Sequence, residues 1–253
     1  MEPPITCLGS FGENITVAVF GASGGIGASF VKLFSEIEAV SNIIALSKRK
    51  PPILPKKTSW LHIDFDKEET IINAANSFKD SYNHLNIVIV ATGTLHDGDN
   101  YQPEKTWRSL DSEVLSRIYK INTIGPAILA KYFLPLLEKK RKTVFAFLSA
   151  RVGSIKDNQT GGWHAYRSSK AALNMLIKNF SIELALKNPK TLCVGLHPGT
   201  VNTALSKPFQ KNVKPKNLFT ADFSATSLLS VINTLGSKNS GDVFAWNGEK
   251  ILP

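Results

Sequence analysis

The 253-residue chain has two cysteines, Cys7 and Cys193, which is too few for a disulfide framework and points to a reducing compartment. Its apolar runs all fall short of the roughly 20 residues that span a bilayer. The first residues carry neither a basic nor an apolar leader region, so the cytoplasm is the expected location. The five histidines show no ligand spacing, so no metal is expected. Acid is scarce relative to base, and the net charge is +10. The basic residues are dispersed, with clusters at 48–50, 139–142 and 207–216. Neither zinc-finger spacing, a basic zipper nor an aromatic RNA-binding signature accompanies them, so they read as a solvated surface and not a nucleic-acid interface.

The chain does contain alternating strand and helix patterns. Strands are expected at Ile15–Phe20, Asn42–Leu46, Trp60–Ile63, Ile87–Ala91, Thr143–Leu148, Thr191–Leu196 and from Val243, ahead of an Asn247-Gly248 turn. Helices are expected at Ile26–Glu38, Lys67–Tyr82, Glu104–Leu110, Ser112–Leu137, Ala165–Lys187 and Ala221–Leu235. The continuous β-branched run Ile87-Val-Ile-Val is typical of a parallel strand covered on both faces. Strands alternating with helices predict a single α/β domain, a doubly wound parallel sheet flanked by helices. Ligands of such sheets sit beyond the C-terminal strand ends.

Two motifs fall at those ends. The run Val17-Ala-Val-Phe-Gly-Ala-Ser-Gly-Gly-Ile-Gly27 leads a strand through a glycine turn into a helix. That geometry lays a dinucleotide pyrophosphate on a helix N-terminus. Downstream, Tyr166-Arg-Ser-Ser-Lys170 puts a phenol and an ammonium one helical turn apart. A free phenol titrates near 10, and the ammonium is expected to pull it down, making Tyr166 a general acid/base.

With these motifs, the chain resembles the short-chain dehydrogenase/reductases over essentially its whole length. Ser149-Ala-Arg-Val-Gly-Ser-Ile155, Gly161-Gly-Trp and Tyr166-Arg-Ser-Ser-Lys-Ala-Ala-Leu-Asn174 resemble the C-factor-like branch. The resemblance implies a Rossmann-type sheet of about seven strands and hydride exchange between a nicotinamide and a carbonyl or alcohol. It makes Tyr166 the catalytic tyrosine, Lys170 its partner and ribose ligand, and Asn122 the anchor of a proton relay. Gly21, Ser23, Gly25, Ile26 and Gly27 are the implied pyrophosphate turn, with Asp64 for adenine and Ala91 and Gly93 for close backbone approach. Pro198, Gly199, Val201 and Thr203 match the carboxamide-holding segment. The implied assembly is a homodimer or homotetramer through helices 112–137 and 165–187.

The chain departs from the family at the catalytic serine, whose position is Ala150. Losing such a donor typically costs about 10²–10³ in rate. Three readings stand. Ser149 or Ser154 supplies the hydroxyl, with Ser149 preferred; Tyr166 works with a backbone or His164 donor; or the protein binds cofactor for signalling or regulation with weakened catalysis. At the end of the second strand, Ser47, Lys48 and Arg49 include no acid, which favours NADP(H) while leaving NAD(H) usable. Residues 1–14 read as an N-terminal strap. Residues 204–216, with four lysines, read as a substrate lid, and Trp163 and His164 as further pocket residues.

Overall fold

The computed structural model describes residues 8–98 and 100–253, so Cys7 and the first half of the expected strap lie outside it. The elements are β1 (Ile15–Phe20), α1 (Gly25–Glu36), β2 (Val40–Ser47), β3 (Thr58–His62), α2 (Glu68–Ser81) and β4 (Ile87–Val90). They continue with α3 (Ser112–Tyr119), α4 (Gly125–Phe133), β5 (Thr143–Leu148), α5 (His164–Lys187) and β6 (Thr191–His197). The last are β7 (Thr200–Val201), β8 (Leu218–Phe219), α6 (Ala221–Thr234), β9 (Val243–Ala245) and β10 (Lys250–Ile251).

Strands in the main sheet run in the order β3-β2-β1-β4-β5-β6-β9-β10, all parallel except β10. Alternate residues of each strand serve opposite faces. Val17 and Val19 pack with Phe30 and Phe34 of α1 and with Leu228 and Ile232 of α6. Ala18 and Phe20 pack with Phe78 of α2, Phe133 of α4 and Leu173 of α5. Both faces are therefore apolar, which is why these strands read as unbroken hydrophobic runs. The sheet is the expected Rossmann type, but it has eight strands where about seven were expected. The extra strand comes from the Asn247-Gly248 turn: Gly248 takes φ +82, which folds β10 back along β9.

Two helix expectations fail. Residues 104–110 form a loop with a short turn at 107–109, because both Glu104 carboxylate oxygens and its carbonyl are engaged at the start of α5. The stretch 112–137 divides into α3, a π turn over Lys120–Ile124, and α4. Gly125 sits at that joint because a Cβ there would overlap the Phe65 ring. Near the N-terminus, Leu8 and Phe11 are buried, and Arg141 donates to the carbonyls of Phe11 (3.2 Å) and Asn14 (3.3 Å).

Candidate active site

The strand order reverses between β1 and β4, and the glycine turn lies there. Gly21 holds φ +77, and a Cβ would come within 2.8 Å of the Ala91 carbonyl oxygen. A Cβ on Gly27 would overlap the Gly21 backbone, so Gly27 lets α1 start hard against the turn. A Cβ on Gly25 would meet Thr203 at 2.8 Å, which brings the segment just after β7 to the same place. Two adjoining cavities, of about 370 and 410 Å³, share Gly24, Ala91 and Gly93. The first is also lined by Gly25, Ile26 and Thr203, the second by Gly21, Ser23, Ser47, Lys48, Arg49 and Asp64. Side-chain-free backbone beside a helix start, opening on a long divided cavity, fits a dinucleotide.

At the second cavity, Lys48 Nζ lies 2.7 Å from Asp64 Oδ2 and 3.7 Å from Asp66 Oδ2, and Arg117 also reaches Asp66. Burial opposes ionisation of Asp64, but the hydrogen bonds from Lys48 and the Asp66 backbone hold its carboxyl below the usual range. Ser47 Oγ donates to the Arg49 carbonyl at 2.6 Å and accepts from Trp60 Nε1 at 3.1 Å. Lys48 and Ser47 are thus engaged within the protein, whereas the Arg49 guanidinium has no hydrogen-bond partner among the described residues. Arg117 was not anticipated, since an exposed helical arginine gives no signal in sequence.

Tyr166 and Lys170 stand on α5, and both are buried. Lys170 Nζ donates to the Leu148 carbonyl at 2.8 Å, and a Cβ on Gly93 would lie 3.6 Å from it. The expected lowering of the tyrosine does not occur here. Burial pushes Tyr166 up to about 12 and Lys170 down to about 8. The ammonium sits 5.9 Å from the phenol ring centroid and is turned to a carbonyl, so desolvation dominates. The side chain of Asn122, in the π turn, accepts from Thr94 N (2.8 Å) and donates to Thr94 O (2.9 Å) and Ser169 Oγ (3.1 Å). It ties the loop after β4 to α5, and π turns recur at functional sites.

Both candidate serines make hydrogen bonds to other groups. Ser149 Oγ donates to Asn174 Oδ1 at 2.6 Å, so its proton is committed away from Tyr166. Ser154 is buried and accepts from Asp157 N at 3.0 Å. The side chain that packs with Tyr166 is that of Ala150, in a cluster with Leu95, Val152, Trp163, Leu205 and Phe209. These residues, with Ser149, Pro198, Gly199 and Val201, line a third cavity of about 260 Å³. Trp163 lines it and His164 does not. His197 is also at its wall, and burial holds this imidazole near 4, hence neutral.

Residues 202–217 leave and rejoin the body through paired β7 and β8. Leu205, Ser206, Phe209 and Val213 of this segment line the cavity, whereas its lysines, the feature visible in sequence, do not. The Phe209 ring lies 5.1 Å from Trp163 and 5.6 Å from His96, centroid to centroid. His96 Nε2 lies 3.3 Å from the Ala204 carbonyl oxygen and 3.2 Å from that of Leu205. A lone phenylalanine among lysines and prolines offered no sequence signal. No group of three or more His, Cys, Asp or Glu able to hold a metal occurs among the described residues. No helix among them is long and apolar enough to cross a membrane.

Comparison with known proteins places this arrangement. The short chain dehydrogenase family model matches residues 15–214. An uncharacterized oxidoreductase of Saccharomyces cerevisiae is 30% identical, over 94% of this chain and 97% of its own length. The C-signal protein of Myxococcus xanthus is 32% identical over 56% of this chain and 80% of its own. Among solved structures, NADPH-bound carbonyl reductase from chicken fatty liver superposes with a TM-score of 0.80 at 26% identity, covering 95% of this chain and all of that one.

Proposed function

The chain belongs to the short chain dehydrogenase family, and we propose that it is an NADP(H)-dependent oxidoreductase of carbonyl or alcohol substrates with Tyr166 as general acid/base. The observation that carries this reading is the phenol of Tyr166 on the wall of the apolar cavity, with Lys170 beneath Gly93 where the two dinucleotide cavities meet. A bound nicotinamide cofactor supplies or accepts the hydride.

The chain's own residues do the rest. Gly21, Ser23, Gly25 and Ile26 receive the pyrophosphate, and Gly27 keeps the helix start close. Asp64, Ala91 and Gly93 flank the adenosine half. Arg49, whose guanidinium has no partner among the described residues, reads the 2′-phosphate, while Ser47 and Lys48 shape its turn. Pro198, Gly199, Val201 and Thr203 border the nicotinamide end. Burial pushes Tyr166 up to about 12, so the phenol is protonated at neutral pH and holds the proton that carbonyl reduction consumes, although a phenol this high is a weak acid. Lys170 and Asn122 hold the floor of the site, and residues 204–216 cover it. The lining around Tyr166 favours an uncharged, apolar carbonyl compound, because the lid lysines stay outside and Arg151, which does line the cavity, is paired with Asp157 and Glu249. A homodimer or homotetramer through α5 is supported by the exposed Met175, Ile182 and Leu186 on that helix. The cytoplasm is the proposed location, and the likeness to carbonyl reductase supports the proposed reaction.

A second reading follows from Ala150. With alanine at the usual serine position and Ser149 turned to Asn174, the protein would act as a cofactor-binding regulatory or signalling protein, a reading that the likeness to C-signal supports. NADPH oxidation with a panel of apolar aldehydes, ketones and quinones separates the two. Turnover that falls at least about 10²-fold in Tyr166→Phe, with NADPH binding retained, is expected. Binding of NADPH without turnover of any carbonyl would favour the second reading.

A further inference from the structure

Glu104 lies far from any motif, yet it is only 5% exposed, and no cation pairs with it among the described residues. A carboxylate buried without a countercharge is costly unless hydrogen bonds and a local dipole compensate it. Both are present at the start of α5. Glu104 Oε1 and Oε2 accept from Ala165 N at 3.4 and 3.3 Å, one residue before Tyr166. The Glu104 carbonyl accepts from Trp163 N. The N-cap residue of this helix, Trp163, provides no side-chain cap of its own. The helix start carries unsatisfied N–H groups and partial positive charge, both of which suit an acceptor.

The backbone entering α5 is unusual as well. Gly161, Gly162 and Trp163 hold φ of +63, +65 and +50, and a left-handed conformation at tryptophan is strained. Arg167 secures this turn from within the helix, donating to the Gly162 carbonyl (3.0 Å) and to Thr160 Oγ1 (2.8 Å). Glu104 secures it from outside. The loop that carries Glu104 is itself fastened near the site, because Thr94 meets both Asn122 and the Tyr101 hydroxyl, at 2.8 and 2.9 Å. The turn so held sets the Trp163 ring 6.3 Å from that of Tyr166.

We propose that Glu104 is a positioning residue, an external cap whose carboxylate oxygens fix the first turn of α5 and so hold Tyr166 and Trp163 in their places at the cavity. The catalytic consequence rests on the reductase reading above; the capping does not. In Glu104→Ala, amide exchange across residues 164–168 should accelerate about tenfold while exchange in β4–β6 stays unchanged. The kcat for a carbonyl that the wild type reduces should drop about tenfold, with NADPH Kd within about twofold. Glu104→Gln keeps an acceptor and should restore both to within about threefold of wild type. Unchanged exchange at 164–168 in the alanine variant, acceleration spread over the whole sheet, or a glutamine variant as impaired as alanine would overturn the proposal. Faster exchange with undiminished kcat would overturn its catalytic part. A wild type that turns over no carbonyl would instead refute the reductase reading, and the exchange data would still decide the role of Glu104.

Discussion

The two ends of the candidate site are built from different materials. At the dinucleotide end, backbone does the shaping: Gly21, Gly25 and Gly27 each occupy a spot that a Cβ would fill, and charges gather around Lys48, Asp64, Asp66 and Arg117. At the Tyr166 end, side chains do it: Leu95, Ala150, Trp163, Leu205 and Phe209 present an apolar wall drawn from separate segments. A shape made by missing side chains tolerates almost no substitution, whereas one made by packed side chains can be recut residue by residue. The first end is therefore suited to one invariant ligand, and the second to setting which substrate is accepted.

Arg49 offers the largest test of this contrast. Its guanidinium, without a partner among the described residues, predicts that Arg49→Ala weakens NADPH binding by about 10–100-fold, the scale of a hydrogen bond between charged partners, and leaves NADH within about twofold. Lys48→Ala should cost both cofactors alike, because Lys48 is tied to Asp64. Isothermal titration with the two cofactors reads this directly, and equal losses in the arginine variant would erase the distinction. A smaller effect is expected at the other end. Phe209→Ala takes away one apolar wall, so less of an aryl ketone is shielded from water; its KM should rise about fivefold with NADPH Kd unmoved. Cofactor affinity that falls as KM rises would mean that the two ends are not separable.

The smallest effect is on stability. Burial lowers Lys170 and Lys142 to about 8 in the folded chain, below the usual lysine value of 10.5. From about pH 8 to 9 the unfolded chain binds more protons at these lysines than the folded one, so they make stability rise with pH there; towards pH 10 Cys193 and Tyr166, which burial raises, oppose them. Melting curves over that interval should show a rise of a few degrees that shrinks in Lys142→Met. A fall that is the same in both proteins would contradict the burial effect.

What the sequence revealed divides along the same line. Gly21 to Gly27 and Tyr166-x-x-x-Lys170 were legible because covalent geometry and helical spacing demand those residues at those intervals. The strands were legible because both faces are apolar. The role of Glu104, the closing of the cavity by Phe209 and the diversion of Ser149 to Asn174 were not. Each depends on a meeting of segments distant in the chain, and nothing local marks such a meeting. The same holds for Tyr166: spacing correctly put a lysine nearby, but the depth of burial that dominates its proton affinity emerges only from the packed structure.

The π turn at Lys120–Ile124 has a consequence for how this part of the chain tolerates change in length. Each residue advances a helix by about 100°. The wider turn therefore offsets the phase of α4 from that of α3, so that α3 addresses α5 while α4 addresses α2. It acts as a clutch between two rotational settings. Removing one residue there would yield a more regular helix and a misassembled protein: whichever segment kept its register, the other would turn its buried residues about 100° away from their present contacts. The irregular turn is thus the part of this helix least free to become ideal.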